Sequence, residues 1–134
     1  MTTYVDTSAL MKLYVDEADS EHALDLLSSD PVLVTAWLSL VEVRRNLARL
    51  LSGAALARAR EAAERDLDRM ALVSLDERGW RAAADIAETL GVRSLDALHL
   101  AAAQQLAVSD LTFCTFDLRQ GVAARQLGLR VVGC

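Results

Sequence analysis

Proline, cysteine and lysine are nearly missing from this chain. One proline and six glycines in 134 residues exclude collagen-like and linker-rich architectures. Two cysteines, Cys114 and Cys134, form no CxxC pair, and the two histidines are not spaced as zinc ligands. Neither a disulfide framework nor a structural zinc site is expected. Cys114 lies in an apolar run and reads as a buried thiol; Cys134 reads as exposed. No apolar run approaches the ~18 residues needed to span a bilayer. Asp6 interrupts the N-terminal segment before a signal-peptide core can form. These absences predict a soluble, cytoplasmic protein.

Positive charge is also scarce. Fourteen basic residues face nineteen acidic ones, a formal charge of −5. That balance is wrong for holding nucleic acid by bulk charge, and suits a protein that gathers divalent metal or meets a basic partner. Lys12 is the only lysine. The remaining cations are arginines, whose forked guanidinium suits phosphate, although a GC-rich genome gives the same bias. What the chain has in quantity is apolar side chain, 53% against 25% charged, which excludes disorder. The length fits one domain over 1–134 with a core that needs no covalent staple.

Short β-type runs alternate with longer helical stretches. Strands are predicted at Tyr4-Val5, Val32–Thr35 after the Asp30-Pro31 turn, Leu72–Leu75, Thr112–Thr115 and Arg130–Val132. Helices are predicted over 8–15, 20–29, 37–52, 54–70, 77–90, 95–107 and 118–127, with Gly91 as a stop and Ser94 as an N-cap. This alternation predicts an α/β protein with a central, mainly parallel sheet of about five strands between two helical layers. In such sheets, ligands bind beyond the carboxyl ends of the strands.

Four carboxylates fall where that rule makes them interesting. Asp6 follows the first strand and Asp117 the fourth. Alone, each reads as the N-cap of the next helix. Asp96 opens the helix after Ser94, where an acid complements the helix dipole. Glu42 lies in the 37–52 helix, whose apolar arc reads as Trp37, Leu40, Val41, Val43, Leu47, Leu50 and Leu51. It faces away from that arc, and a surface pair with Arg45 explains it locally. His99, three residues after Asp96, reads as a packed core histidine. Together the four say more: strand ends and the helix starts after them share one edge of a parallel sheet. Four carboxylates converging there repel unless protonated or bridged by cations. Oxygen donors without thiols or clustered histidines suit hard ions, Mg²⁺ or Mn²⁺.

The stretches Val5-Asp6-Thr7-Ser8-Ala9-Leu10, Leu40-Val41-Glu42-Val43, Arg93 to Ala101 (Arg-Ser-Leu-Asp-Ala-Leu-His-Leu-Ala) and Thr115-Phe116-Asp117 carry a resemblance. In order and span they resemble the PIN-domain ribonucleases, specifically the VapC-type toxins of toxin–antitoxin pairs. The resemblance implies a three-layer α/β/α PIN-like fold, with Asp6, Glu42, Asp96 and Asp117 as catalytic metal ligands. It places Ser8 and Thr115 as supporting hydroxyls. It implies Mg²⁺- or Mn²⁺-dependent cleavage of RNA leaving a 5′-phosphate and a 3′-hydroxyl, which inhibits translation and growth. It also implies a homodimer, within a larger assembly in some pairs, and a cognate antitoxin whose basic tail reaches the four carboxylates. Two metals ~4 Å apart can both activate water and relieve charge on the leaving oxygen, so acidic ligands matter more than a histidine base. For the tail, the apolar surface is expected from Ala9, Leu10, Leu13 and Tyr14 with Leu50, Leu51, Ala55 and Leu56.

Other readings fit the residues less well. A receiver-like signalling domain needs a paired acidic cluster at the first strand and a lysine late in the sheet. A haloacid-dehalogenase-type phosphatase needs Asp-x-Asp, and position 8 is Ser8. A PIN nuclease that processes RNA without an antitoxin, and a binding module that loads no metal, stay open at this point.

Overall fold

The computed structural model describes residues 1–134. Its elements run in chain order as β1 (Thr2–Val5), α1 (Thr7–Met11), α2 (Ser20–Ser28), β2 (Val32–Ala36), α3 (Leu38–Leu50), α4 (Gly53–Arg69), β3 (Ala71–Val73), α5 (Glu77–Leu90), α6 (Ser94–Gln105), β4 (Leu111–Cys114), α7 (Leu118–Gln126) and β5 (Arg130–Val132). The five strands form one sheet in the order β3-β2-β1-β4-β5. Every pairing is parallel, with Tyr4 beside both Val34 and Phe113. Helices on both faces account for this, because parallel strands need crossovers.

Alternation along the strands divides the core. Tyr4, Val34, Ala36, Leu111 and Phe113 pack with α5, α6 and α7. Val5 and Cys114 pack with α1, α3 and α4 through Leu10, Val43, Leu47, Ala63 and Leu67. Successive side chains of one strand therefore feed opposite layers. Tyr4 and Phe113 stack at 5.4 Å between centroids. The edge strands β3 and β5 are only three residues long and keep Ala71 and Arg130 exposed, which limits edge-to-edge pairing. No helix is long and apolar enough to cross a membrane.

The strand order reverses at β1. From there the chain moves outward to β2 and β3, then returns to lay β4 on the other side of β1. That is a topological switch point, and in open parallel sheets the crevice beyond it is where ligands bind. Asp6 continues from β1 with its N–H donating to the Cys114 carbonyl at 3.1 Å, so the two strand ends are tied where they diverge.

Several local expectations shift. The first helix is one short turn, Thr7–Met11, because Lys12 turns out of it to bond Glu17 and Asp19. The third strand ends at Val73, and the Ser74 carbonyl instead accepts from Gln105 Nε2. Arg93, not Ser94, caps α6, without a side-chain bond. Cys114 is buried as expected, whereas Cys134 is half-buried, with its Sγ 3.5 Å from the Asp117 carbonyl. The apolar arc of α3 is only partly inward: Val43 and Leu47 are buried while Trp37, Val41 and Leu50 are exposed. Its inner side includes Ser39, bonded to Thr35 at 2.6 Å, because α3 lies against α1, α4 and the end of β2. Leu10 and Ala9 sit wholly inside the core, so they offer no docking surface.

Gly91 stops α5 as expected, with φ at 71° and its N–H bonded to the Ala87 carbonyl at 3.0 Å. A Cβ there meets nothing within 4 Å, so backbone conformation alone opposes a side chain. Gly91→Ala is expected to lower stability by about 1 kcal/mol. Urea unfolding checks this, with the midpoint falling and the slope unchanged.

Candidate active site

Asp6 leaves β1 in extended conformation and caps α1. Its Oδ1 accepts from the Ala9 N–H at 3.1 Å and from Ser8 Oγ at 2.7 Å. Asp117 does the same job for α7, its Oδ1 accepting from the N–H groups of Arg119 and Gln120 at 2.9 and 3.3 Å. Capping and cleft placement are therefore compatible. Each cap uses one oxygen, and the carboxyl group still stands at the strand end. Asp6, Glu42, Asp96 and Asp117 line one cleft, together with Thr7, Ser8, Asn46 and His99.

Hydroxyls stitch the strand ends together. Ser8 Oγ lies 3.1 Å from Thr115 Oγ1 and accepts from the Phe116 N–H at 3.0 Å. Thr115 Oγ1 accepts from the Asp117 N–H at 3.1 Å. Ser8 and Thr115 thus tie the two capping acids to one another across the strand ends.

Glu42 is placed by a buried network rather than by a surface pair with Arg45. Its Oε1 accepts from Thr7 Oγ1 at 2.7 Å and lies 2.8 Å from His99 Nε2. The other ring nitrogen of His99, Nδ1, lies 2.7 Å from the Tyr4 hydroxyl. Nε2–H donates to Glu42, and Nδ1 meets the Tyr4 hydroxyl, which can either donate to it or accept from it. His99 is indeed a core residue, 2% exposed, but it is a link in a polar chain rather than apolar filler. Thr7, Asn46 and His99 also line the cleft, although local pattern assigns none of them to it. The available signal was the i, i+3 spacing of Asp96 and His99 on one helix.

The electrostatics are those of crowded acids. Burial pushes the Asp6 carboxyl above its usual range, against the opposing pull of His99 and the bonds from Thr115 and Ser8. Asp6 is 4% exposed and has no basic group within ion-pair distance. Burial also raises Asp96, helped by the Asp117 charge and only partly offset by Arg93. Burial opposes ionisation of Glu42 as well, but the bonds and charge of His99, with the Thr7 hydroxyl, outweigh it and hold the group low. Arg93 reaches across the mouth, 3.4 Å from Asp96 Oδ2 and 4.0 Å from Asp117 Oδ2.

No three carboxylate or imidazole groups are drawn together as a finished coordination shell. The donor set nevertheless fits a hard divalent ion. It is oxygen-rich and thiol-free, and it contains a buried carboxylate, Asp6, with no basic group in ion-pair contact.

A five-stranded parallel sheet between helical layers, with acids gathered at its switch point, defines an α/β fold with a candidate metal-assisted site. The chain belongs to the PIN domain family, whose signature matches residues 3–126. Its relatives include ribonuclease VapC46 of Mycobacterium tuberculosis, 36% identical over 129 residues that cover 96% of this chain and 95% of the relative. Among solved structures, FitAcB from Neisseria gonorrhoeae superposes with a TM-score of 0.76 at 23% identity, covering 96% of this chain and 95% of that one. The Mycobacterium tuberculosis toxin VapC20, described as cleaving the sarcin–ricin loop, superposes at 0.74 and 22%, covering 90% and 94%.

Proposed function

We propose that this chain is a divalent-metal-dependent endoribonuclease acting as the toxin of a toxin–antitoxin pair. The observation that carries the reading is the buried Asp6 carboxylate, without a cationic partner, in one cleft with Glu42, Asp96 and Asp117. The 36% identity to a ribonuclease over nearly the whole chain supports it.

Asp6, Asp96, Glu42 and Asp117 would hold Mg²⁺ or Mn²⁺, which supplies charge relief at the phosphate and an acidified water. The chain's own residues do the rest. Ser8 and Thr115 fix the two strand-end acids, and their bonds leave little freedom to drift. Thr7 and His99 keep Glu42 ionised and aimed into the cleft. The overall charge of −5 is compatible with RNA because bound metal and local arginines such as Arg93, not net charge, would hold the phosphates. The same charge attracts a basic antitoxin tail at long range. Leu50, exposed on α3, with the half-buried Leu51 and Leu56, is the apolar surface left for that tail once Leu10 is assigned to the core. A homodimer working in the cytoplasm completes the proposal.

Purified protein should cleave single-stranded RNA in Mg²⁺ or Mn²⁺, stop in EDTA and recover when metal is restored. The new 5′ ends should ligate directly, as 5′-phosphates do. Cleavage persisting in excess EDTA, or products ending in a cyclic phosphate, overturns the assignment.

A further inference from the structure

We propose that Tyr4 is a positioning residue of the active site: from inside the central strand, its hydroxyl acts through His99 to fix Glu42 in the cleft. The inference rests on the ribonuclease reading above and extends it to a side chain that meets neither substrate nor metal.

Tyr4 lies in β1 between Val34 of β2 and Phe113 of β4, wholly buried, with its ring stacked on that of Phe113. Packing alone asks only for a phenyl ring there. A hydroxyl buried in a core costs free energy unless it is bonded, and this one meets Nδ1 of His99 at 2.7 Å. The two rings also stand edge to face, with 5.8 Å between centroids, so bond and contact together hold the imidazole. Its opposite nitrogen, Nε2, then lies 2.8 Å from Glu42 Oε1. Thr7 Oγ1 donates to that same oxygen at 2.7 Å and lies 3.1 Å from Nε2. Both bonds fall on Oε1, which leaves Oε2 for the cleft that Glu42 lines.

The chain of contacts from Tyr4 through His99 to Glu42 joins three elements. Tyr4 is on β1, two residues before Asp6. His99 is on α6, three residues after Asp96 and so on the same face. Glu42 is on α3. One hydroxyl therefore ties together the strand and the two helices that bring three of the four acids to the cleft. The χ2 torsion of a histidine is broad, so without a bond at Nδ1 the ring can swing Nε2 away from its acceptor. Carboxylates held from behind in this way keep their aim, and losing such partners costs roughly 10–100-fold in metal affinity or activity.

Tyr4→Phe removes one oxygen and keeps the ring. In NMR spectra of the metal-free protein, the imidazole nitrogens of His99 and the carboxyl carbon of Glu42 should both shift, although Tyr4 touches only the histidine. Mn²⁺ affinity, measured by titration calorimetry, should fall about tenfold. RNA cleavage should lose a similar factor in kcat, with KM near its original value. Leu67→Val, a core change on the opposite face of the sheet, should lower the melting temperature and leave Mn²⁺ affinity as it was. A double-mutant cycle separates positioning from general loosening. Tyr4→Phe should cost nothing further in Mn²⁺ affinity once Glu42→Gln is present, because the two changes act on one interaction. Equal losses in both backgrounds overturn the proposal, and so does a Glu42 resonance that stays in place in Tyr4→Phe. A shifted Glu42 resonance in a protein whose original form neither binds Mn²⁺ nor cuts RNA upholds the positioning and removes the nuclease reading. Mn²⁺ binding and cutting at full strength in Tyr4→Phe does the reverse.

Discussion

Asp6→Asn should reduce RNA cleavage by about 10²–10³-fold, the usual effect of deleting one preorganised charge at a reacting centre. The same change should raise the melting temperature of the metal-free protein. Asparagine keeps the Oδ1 acceptor, so the bonds from the Ala9 N–H and Ser8 Oγ survive and α1 stays capped. What is lost is a buried charge without a cation. Each kcal/mol relieved raises the midpoint by about 3–5 °C in a domain of this size.

The pH dependence has a definite sign. Burial raises the folded-state pKa of Asp6, so between the unfolded value of about 3.9 and the raised folded value the native state binds more protons. Ionised Asp6 therefore costs stability above that window, and the cost fades as pH falls through it. The advantage of Asp6→Asn should be full at neutral pH and vanish in acid. Manganese should reverse the order, stabilising the original protein by mass action and the variant far less. Scanning calorimetry with EDTA or Mn²⁺ at two pH values reads all of this. A variant that melts lower without metal at neutral pH sinks the charge argument and leaves Asp6 as a cap alone.

His99→Ala should be the most damaging single change in the site for folding, by about 3–5 kcal/mol. It opens a cavity under α6 and orphans the Tyr4 hydroxyl, on a side chain that is fully buried in the central strand. It also releases Glu42, which loses a 2.8 Å partner and the charge that holds its carboxyl low. Activity should drop with stability, and Glu42 should titrate higher. His99→Gln retains a polar side chain of similar reach and should recover part of both. Chemical denaturation of the three proteins decides it. A loss below about 1 kcal/mol in His99→Ala means that the network is not structural.

Much of this architecture is legible before any coordinates. The β/α alternation gives five strands and seven helices in the right order, and strand-end placement brings Asp6 and Asp117 to one edge. What local pattern does not carry is which side of a helix is inside. On α3 the apolar residues are spread widely enough that the arc through Trp37 and Val41 reads as buried. Contact with α1 and α4 instead turns Ser39, Val43 and Leu47 inward. That rotation also brings Glu42 to His99, a partner 57 residues away whose role depends on Tyr4, 95 residues away. No window along the chain contains those three together, so spacing alone makes His99 a packed residue.

The reversal of strand order at β1 has a consequence for synthesis. Asp6 is made well before the strand that completes its surroundings, β4, which begins at Leu111. Until β4 docks, the Asp6 N–H lacks the Cys114 carbonyl, Ser8 lacks Thr115, and Asp117 is not yet in place. At about 5–20 residues per second, several seconds separate the two ends of the site. A nascent chain still short of β4 thus carries Asp6, Glu42 and Asp96 but neither Thr115 nor Asp117, so the acidic cleft is unfinished until β4 and the start of α7 are in place.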